Sequence, residues 1–115
     1  WVLARPVTGR TNQIRIHAAW LGYPLLGDKL YHPSERVFLE YYDRGMTDWV
    51  RQQAGFDRVC LHAWRVAFCD PESSNLVEVT APIPEDLKSL APLPQPGGPA
   101  VDFGEGGGHP SQQRI

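Results

Sequence analysis

The sequence predicts an α+β fold, in which a mixed, mostly antiparallel sheet packs one helix against one of its faces. Three observations carry this prediction. Residues 1–7 and 59–68 are rich in the residues that favour β-strands, and residues 76–80 form a second short run after a polar turn. Residues 11–21 instead carry apolar side chains at helical spacing. The pattern therefore indicates strands flanking one well-defined helix.

The first strand ends at Pro6-Val7, and Thr8-Gly9-Arg10 follows as a turn. Gly9 can adopt backbone angles that other residues avoid, which suits a turn before a helix. Thr11 has a side chain that favours the N-cap, so we expect the helix to begin there. Gly22 followed by Pro24 predicts its end.

The predicted helix carries apolar residues around most of its circumference. One stripe is Ile14, Ala18 and Leu21, and the other is Ile16, Ala19 and Trp20. A helix that is apolar on two sides is expected to pack on two sides. We therefore predict a central, buried helix.

The remaining elements are shorter. Residues 24–31 suit an extended piece with a turn at Gly27-Asp28, and residues 34–54 suit two short helices broken at Gly45. The 59–68 and 76–80 runs predict a hairpin. A last short helix is predicted over residues 84–90, with Pro84 at its first position and acidic residues in its first turn.

The chain divides into two parts. Residues 1–90 hold all the predicted elements, whereas residues 91–115 are rich in Pro and Gly, which predicts a disordered tail. The glycine run 104–108 superficially resembles a dinucleotide-binding loop, but it lacks the preceding strand and the following helix that such a loop needs. We therefore assign no binding role to the tail.

Charge and cysteine content narrow the class of protein. The net charge is -2, so any contact with nucleic acid must be local. Arg5, Arg10 and Arg15 all precede the first carboxylate and form a small basic segment. The two cysteines flank one predicted strand too far apart to bond, which favours a reducing compartment. No apolar run is long enough to span a bilayer, so we expect a cytoplasmic protein without a membrane partner.

The segment from Thr8 to His17 carries the candidate chemistry. A turn that leads into a helix start presents backbone N–H groups that favour an anion such as a phosphate. Arg10 adds a planar cation that can clamp a phosphate or a carboxylate. The alternative is that Gly9 only makes a turn and that Arg10 is solvated surface. Local features leave both interpretations open.

Arg15 lies in the middle of the predicted helix, and its neighbours at helical spacing carry no acid. A buried guanidinium without a partner would cost several kcal/mol, on the order given for uncompensated buried charge. We therefore expect a carboxylate or phosphate to meet it from another part of the structure, and this partner need not lie within the sequence. The alternative is an arginine that reaches solvent along its long stem.

Several segments, in order, resemble the signature of RluA-type RNA pseudouridine synthases. They are Thr8-Gly-Arg-Thr-Asn-Gln-Ile-Arg-Ile-His17, Leu21-Gly22, Pro24-Leu25-Leu26-Gly27-Asp28 with Tyr31, Cys60-Leu-His-Ala63, which resembles a Leu-His-Ala strand of the family, and Thr80-Ala-Pro82. The resemblance covers roughly residues 1–90. The family usually has His where this sequence has Asn12, which puts the role of that position in doubt.

The resemblance implies an enzyme that breaks the N-glycosidic bond of uridine in rRNA or tRNA, turns the base and rejoins it through carbon. It implies no cofactor and no metal, and we expect a monomer. In the family an aspartate and a tyrosine act on the nucleotide, and an arginine pairs with the aspartate. Arg15 matches that arginine, while the aspartate and the tyrosine belong to motifs that precede this block. We therefore expect the sequence to be a C-terminal part of the catalytic domain that is inactive alone.

The resemblance and the local pattern together give the candidate site. The catalytic candidate is Arg15, and the RNA-binding candidates are Gly9, Arg10, Thr11, Asn12 and Gln13. Two other hypotheses remain: a non-catalytic RNA-binding module, and a remnant that does not fold stably. Residues 34–58 exceed what the family block needs and suggest an insertion.

Two further groups of residues suit ordinary structural roles. Cys60, His62 and His17 do not have the ligand pairs of a zinc site, so we expect packing rather than metal binding. Tyr41-Tyr42 with Trp49 and Arg51 are the residue types that stack on unpaired bases. We favour a small satellite core there over a stacking surface.

Overall fold

A computed structural model describes residues 1–90 and the backbone of residues 100–103. Within these ranges the elements are β1 (Leu3–Pro6), α1 (Gln13–Trp20), α2 (Glu35–Arg44), α3 (Asp48–Ala54), β2 (Arg65–Cys69), β3 (Leu76–Thr80), α4 (Glu85–Lys88) and β4 (Ala100–Phe103). The α+β class is confirmed. No helix in these ranges has the length and apolar character to cross a bilayer.

The strands form two small sheets rather than the single mixed sheet that the sequence predicted. β1 pairs in parallel with β4, with Leu3 opposite Ala100 and Pro6 opposite Phe103. β2 and β3 form the predicted antiparallel hairpin, with Arg65 opposite Thr80. α1 lies beside β1. α1 therefore contacts the parallel sheet through β1.

The predicted strand over residues 59–68 is wrong in its first half, because β2 begins only at Arg65. The preceding backbone is used elsewhere: the Cys60 N–H donates to the Leu26 carbonyl at 2.8 Å, and the Leu61 N–H donates to the Val59 carbonyl at 2.8 Å. Cys60 is thus held against the 24–31 loop. Tertiary contact overrides the local preference for a strand here.

α1 begins at Gln13 with Asn12 as its N-cap, one residue later than the predicted N-cap Thr11. Its end is as predicted, because Gly22 has a φ of 85° and the Tyr23 N–H donates to the Ala18 carbonyl. The prediction of burial on two sides is wrong. Of the described residues of α1, Ala18 alone is buried, while Trp20 is 67% exposed.

α2 and α3 confirm the two short helices broken at Gly45. Gly45 ends α2 with a φ of 72°, and the Thr47 hydroxyl accepts a hydrogen bond from the Val50 N–H to cap α3. The two helices contact each other, and each has a fully buried valine, Val37 in α2 and Val50 in α3. At α4, Pro84 stands at the N-cap and not at the first helical position.

The tail prediction differs from the structure over four residues. Residues 91–115 were predicted to be disordered, yet Ala100–Phe103 forms β4. This short segment contains Val and Phe, and the exposed edge of β1 offers backbone groups that need partners. Residues 91–99 and 104–115, with the glycine run, lie outside the described residues.

The loop of residues 24–31 is fastened to the end of α3 and to the residues after it. The Gly27 N–H donates to the Ala54 carbonyl at 2.8 Å, and the Lys29 ammonium donates to the carbonyls of Phe56 and Asp57. A Cβ on Gly27 would lie 1.9 Å from the Arg58 carbonyl oxygen, so only glycine fits. This fastening positions Asp28.

Candidate functional site

Arg15 of α1 forms a two-pronged ion pair with Asp28. Its Nε donates to Asp28 Oδ2 at 2.7 Å and its Nη2 donates to Asp28 Oδ1 at 2.8 Å. The Asp28 side chain is excluded from solvent, whereas the Arg15 side chain retains 21% of its exposure. Paired donors on a planar guanidinium set both distance and orientation. The pair is therefore a geometrically defined element of the structure.

Two further groups hold the same guanidinium. Its Nη1 donates to Asn12 Oδ1 at 3.0 Å, and its central carbon lies 5.0 Å from the centre of the Tyr31 ring. A ring face attracts a cation in this arrangement. Asn12 reaches Arg15 because its backbone is left-handed, with φ 56° and ψ 14°, a conformation that Asn tolerates better than most residues. At this position, therefore, Asn12 accepts a hydrogen bond from Arg15.

The charge state of the pair follows from its contacts. Burial by itself would raise the pKa of Asp28, but hydrogen bonds from Arg15 and from the Tyr31 N–H outweigh it and leave that pKa lowered. The hydrogen bond to Asp28 raises the pKa of Arg15, against the opposing effect of burial. Both groups therefore stay ionised at neutral pH.

Asp28 also organises its own loop. Its Oδ1 accepts hydrogen bonds from the backbone N–H groups of Leu30 and Tyr31, each at 3.1 Å. These bonds turn the backbone directly after Asp28 and place the Tyr31 ring beside Arg15. One carboxylate thus holds the guanidinium and the aromatic ring together.

The turn before α1 is held by Gln13. Its Oε1 accepts hydrogen bonds from the Thr8 hydroxyl at 2.7 Å and from the Arg10 N–H at 3.2 Å. The Gln13 N–H in turn donates to the Arg10 carbonyl at 3.1 Å. The turn therefore has a defined shape without relying on Gly9, whose φ is not positive and whose absent Cβ would meet nothing within 4 Å. Gly9 therefore does not use the backbone freedom that glycine offers a turn.

A surface cavity of ≈ 250 Å³ lies where these groups converge. It is lined by Pro6, Thr8, Gly9, Arg10, Asn12, Gln13, Ile14, Arg15 and Leu61. The structure thus brings together five of the six residues singled out in the sequence, while exposed Thr11 is not among the lining residues. A cavity with arginines and amides on its wall has the chemistry to receive an anion or the polar edge of a base.

A second depression of ≈ 460 Å³ lies on another part of the described surface. Its lining is Arg51, Gly55, Phe56, Asp57, Arg58 and Asp86. The arginines there are already paired, Arg51 with Asp57 and Arg58 with Asp86. The smaller cavity is the better candidate, because it is lined by Arg15 and by four of the five residues that the sequence singled out for RNA binding.

The counter-charge of Arg15 comes from within the described chain. The resemblance implied an aspartate from motifs that precede this block, and the partner in the structure is Asp28. Helical spacing could not reveal it, because Asp28 lies thirteen residues away on a loop. The available signal was Asp28 itself, a carboxylate in a glycine turn directly after the basic segment.

The cysteines, histidines and aromatic residues outside the cavity have ordinary structural surroundings. Cys60 and Cys69 are free thiols, and burial raises the pKa of Cys60. His62 Nε2 lies 3.3 Å from the Ala81 carbonyl. Over the described part of the chain, no group of three or more His, Cys, Asp or Glu is arranged to hold a metal ion. Arg36 lies over the Trp49 ring, while Tyr42 is largely exposed beside Phe38.

Sequence comparison shows that the chain is homologous to RNA pseudouridine synthases. It is similar to ribosomal large subunit pseudouridine synthase D of Xanthomonas campestris pv. campestris, with 42% identity over 84 residues, which cover 72% of this chain and 24% of the relative. It is also similar to RNA pseudouridine synthase 2, chloroplastic, of Oryza sativa subsp. japonica, with 39% identity over 88 residues, which cover 72% of this chain and 20% of the relative. No protein-family model matches the chain.

A third relative extends the comparison to a differently named synthase. Ribosomal large subunit pseudouridine synthase C of Pasteurella multocida is 34% identical over 89 residues, covering 77% of this chain and 24% of the relative. The chain thus spans about 24% of the length of the bacterial relatives described here. These similarities confirm the relationship to RluA-type pseudouridine synthases that the Thr8 to His17 segment indicated.

Proposed function

We propose that this chain is part of the catalytic domain of an RNA pseudouridine synthase that isomerises uridine to pseudouridine in rRNA or tRNA. The homology to named pseudouridine synthases supports the reaction class. The observation that carries the proposal is the position of Arg15, whose guanidinium is held by three groups and lines a cavity beside a basic turn. An arginine held in this way suits electrostatic work on a bound nucleotide.

Arg15 has hydrogen-bond donors that can contact a bound nucleotide. A guanidinium carries five N–H groups. Hydrogen bonds to Asp28 and Asn12 use three of them, and no acceptor among the described residues is assigned to the other two. In the proposed mechanism the remaining donors meet the carboxylate that acts on uridine, orient it and keep it ionised near neutral pH. Isomerisation exchanges a carbon–nitrogen for a carbon–carbon bond without net oxidation, so it needs no redox cofactor.

We further propose that the turn and the helix start bind the RNA backbone through Gly9, Arg10, Thr11, Asn12 and Gln13. A target base must leave its stack to react, and the phosphates flanking it then need support. The turn presents Arg10 at its surface, and the open space at Gly9 lets a sugar or phosphate approach the backbone closely. Asn12 and Gln13 contribute by shaping the cavity through their contacts with Arg15 and Thr8. We also propose that the protein acts as a cytoplasmic monomer.

The test identifies the pseudouridines that RNA loses when the gene is deleted. The gene encoding this sequence is deleted, and RNA from the deletion strain is mapped by mass spectrometry for pseudouridine. Complementation with the wild-type gene should restore each lost site, and Arg15→Ala should not, although the variant protein should still bind the RNA. Arg58→Ala is the matched control, because Arg58 also forms a two-pronged pair with an aspartate but lies outside the cavity. Full restoration by Arg15→Ala would exclude Arg15 from the reaction.

The second candidate is an RNA-binding module without catalysis. One observation favours it: Asp28 already supplies Arg15 with a counter-charge, so the arginine needs no catalytic carboxylate to be stable where it is. Under this hypothesis the deletion strain keeps all its pseudouridines, while the wild-type protein still crosslinks to RNA through the Thr8 to Gln13 turn. The same deletion experiment therefore separates the two candidates.

A further inference from the structure

Asp28 is placed as a support for Arg15 and not as a group that meets the substrate. Its side chain is fully excluded from solvent, and it is not among the residues that line the cavity. Its Oδ1 accepts three hydrogen bonds, from Arg15 and from the N–H groups of Leu30 and Tyr31, and its Oδ2 accepts one from Arg15. With its lone pairs occupied in this way, Asp28 can influence a ligand only through its neighbours.

Asp28 and its loop define one orientation of the guanidinium. The carboxylate occupies the edge of Arg15 formed by Nε and Nη2, and the Tyr31 ring lies against the face. Asn12 accepts from the third nitrogen. A planar group held at one edge and one face cannot rotate, so its remaining donors point in one direction.

The loop that carries Asp28 is itself held in place from the opposite side. Lys29, the next residue, is buried and donates to the carbonyls of Phe56 and Asp57, and it lies 5.8 Å from the centre of the Tyr41 ring. Gly27, the preceding residue, is bonded to Ala54 and packed against the Arg58 carbonyl. The position of Arg15 is therefore set by the residues around the end of α3 as well as by α1.

We infer that Asp28 is a positioning residue for the reaction, which aims the free donors of Arg15 into the cavity through a two-pronged pair that the 24–31 loop holds rigid. The inference rests on the proposed function and adds a residue and a mode of action to it. A displacement of about 1 Å at a catalytic group can reduce turnover on the order of 100-fold. Loss of Asp28 should therefore lower kcat strongly while leaving RNA binding nearly unchanged.

The experiment measures kcat and KM of the full-length protein on the RNA that loses pseudouridine in the deletion strain. Asp28→Asn keeps the size of the side chain and removes its charge, and we expect about a 100-fold lower kcat with KM within about threefold of wild type. Asp86→Asn is the matched control, since it weakens an equally two-pronged arginine pair that lies outside the cavity. It should leave both constants unchanged.

A second variant keeps the inference testable if Asp28→Asn fails to fold. Asp28→Glu retains the charge and the hydrogen-bonding oxygens but moves them outward by one methylene, so we expect kcat to fall about 10-fold at an unchanged KM. A wild-type kcat in either folded variant, or a loss expressed in KM alone, overturns the positioning role. If wild-type protein makes no pseudouridine at all, the proposed function fails instead, and the two failures are thereby distinguished.

Discussion

Asp28→Ala should destabilise the protein far more than Asp86→Ala, although both aspartates form two-pronged pairs with an arginine. The distances in the two pairs are nearly equal, 2.7 and 2.8 Å for Asp28 against 2.8 and 2.9 Å for Asp86. Their environments differ, because the Asp28 side chain is fully buried and the Asp86 side chain is 45% exposed. Burial, and not bond geometry, should therefore decide the outcome.

The expected loss of stability in Asp28→Ala follows from the groups that lose their hydrogen-bond partner. Removing one partner of a buried ion pair costs about 3–5 kcal/mol. Arg15 keeps part of its exposure and can rehydrate, which lowers the cost, but two backbone N–H groups also lose their acceptor. We expect a loss of about 3 kcal/mol, a large share of the roughly 5–15 kcal/mol that stabilises a typical domain. Asp86→Ala should cause little change, because exposed pairs gain little over hydration.

Urea unfolding followed by far-UV circular dichroism at pH 7 measures both effects. With a urea dependence of about 1.5–2 kcal/mol per molar, a loss of about 3 kcal/mol lowers the midpoint by roughly 1.5–2 M. The Asp86→Ala midpoint should stay close to wild type. Equal decreases for the two variants would refute the reasoning, because they would mean that the buried pair contributes no more than the exposed one.

The remaining predictions concern pH, backbone conformation and local stability. The pKa of Asp28 is lowered in the folded state, so its ionised form stabilises the fold. This contribution to the free energy of unfolding is complete above the ordinary carboxyl pKa of about 4, and it is lost as the pH falls through the lower pKa of the folded state. Acid titration of the unfolding free energy should therefore be shallower in Asp28→Asn than in wild type, and parallel curves would contradict this. Asn12→Ala should cost about 1–2 kcal/mol in urea unfolding and Asn12→Gly less, because only the first adds backbone strain at a φ of 56°. Gly27→Ala should cost about 3 kcal/mol or more in thermal unfolding, since its Cβ would overlap a carbonyl, whereas Gly9→Ala should melt like wild type. Amide exchange over residues 13–20 should be slow if α1 is stably folded, and rapid exchange throughout the helix would favour the unstable remnant.

The local sequence pattern was sufficient to predict those elements whose conformation is set by neighbouring residues. Gly22 and Gly45 end helices because their backbones take positive φ values, which the sequence signals directly. The β2–β3 hairpin was predicted because its polar turn and apolar runs lie within one short segment. The two-helix unit of α2 and α3 was likewise predicted from its own residues.

Local pattern failed where distant residues compete for the same backbone or charge. Cys60 looks like a strand residue, but its N–H is taken by Leu26 from another part of the chain. The N-cap moved from Thr11 to Asn12 because the Asn12 side chain binds Arg15 and favours the left-handed backbone there. Helical spacing alone could not show such competition.

The candidate site was predicted in part. Arg15, Asn12 and Gln13, which the sequence singled out, line one cavity, but the sequence pattern assigned no role at the site to Asp28 and Tyr31, which hold Arg15. Both come from a loop whose direction depends on its contacts with Ala54 and Asp57. A site built from a helix and a distant loop requires the tertiary structure, even when each segment is recognisable by itself.

The pairing of β1 with β4 has a consequence for the order of folding. The β2–β3 hairpin joins neighbouring segments, which close within microseconds in typical proteins. Leu3 instead pairs with Ala100, so this parallel pair must close a loop that contains every other element of the described chain. Closing so long a loop costs conformational entropy. We expect the pair to form only after the intervening elements have folded, because their folding brings the two strands together. The turn that follows β1 should therefore reach its final place late in folding.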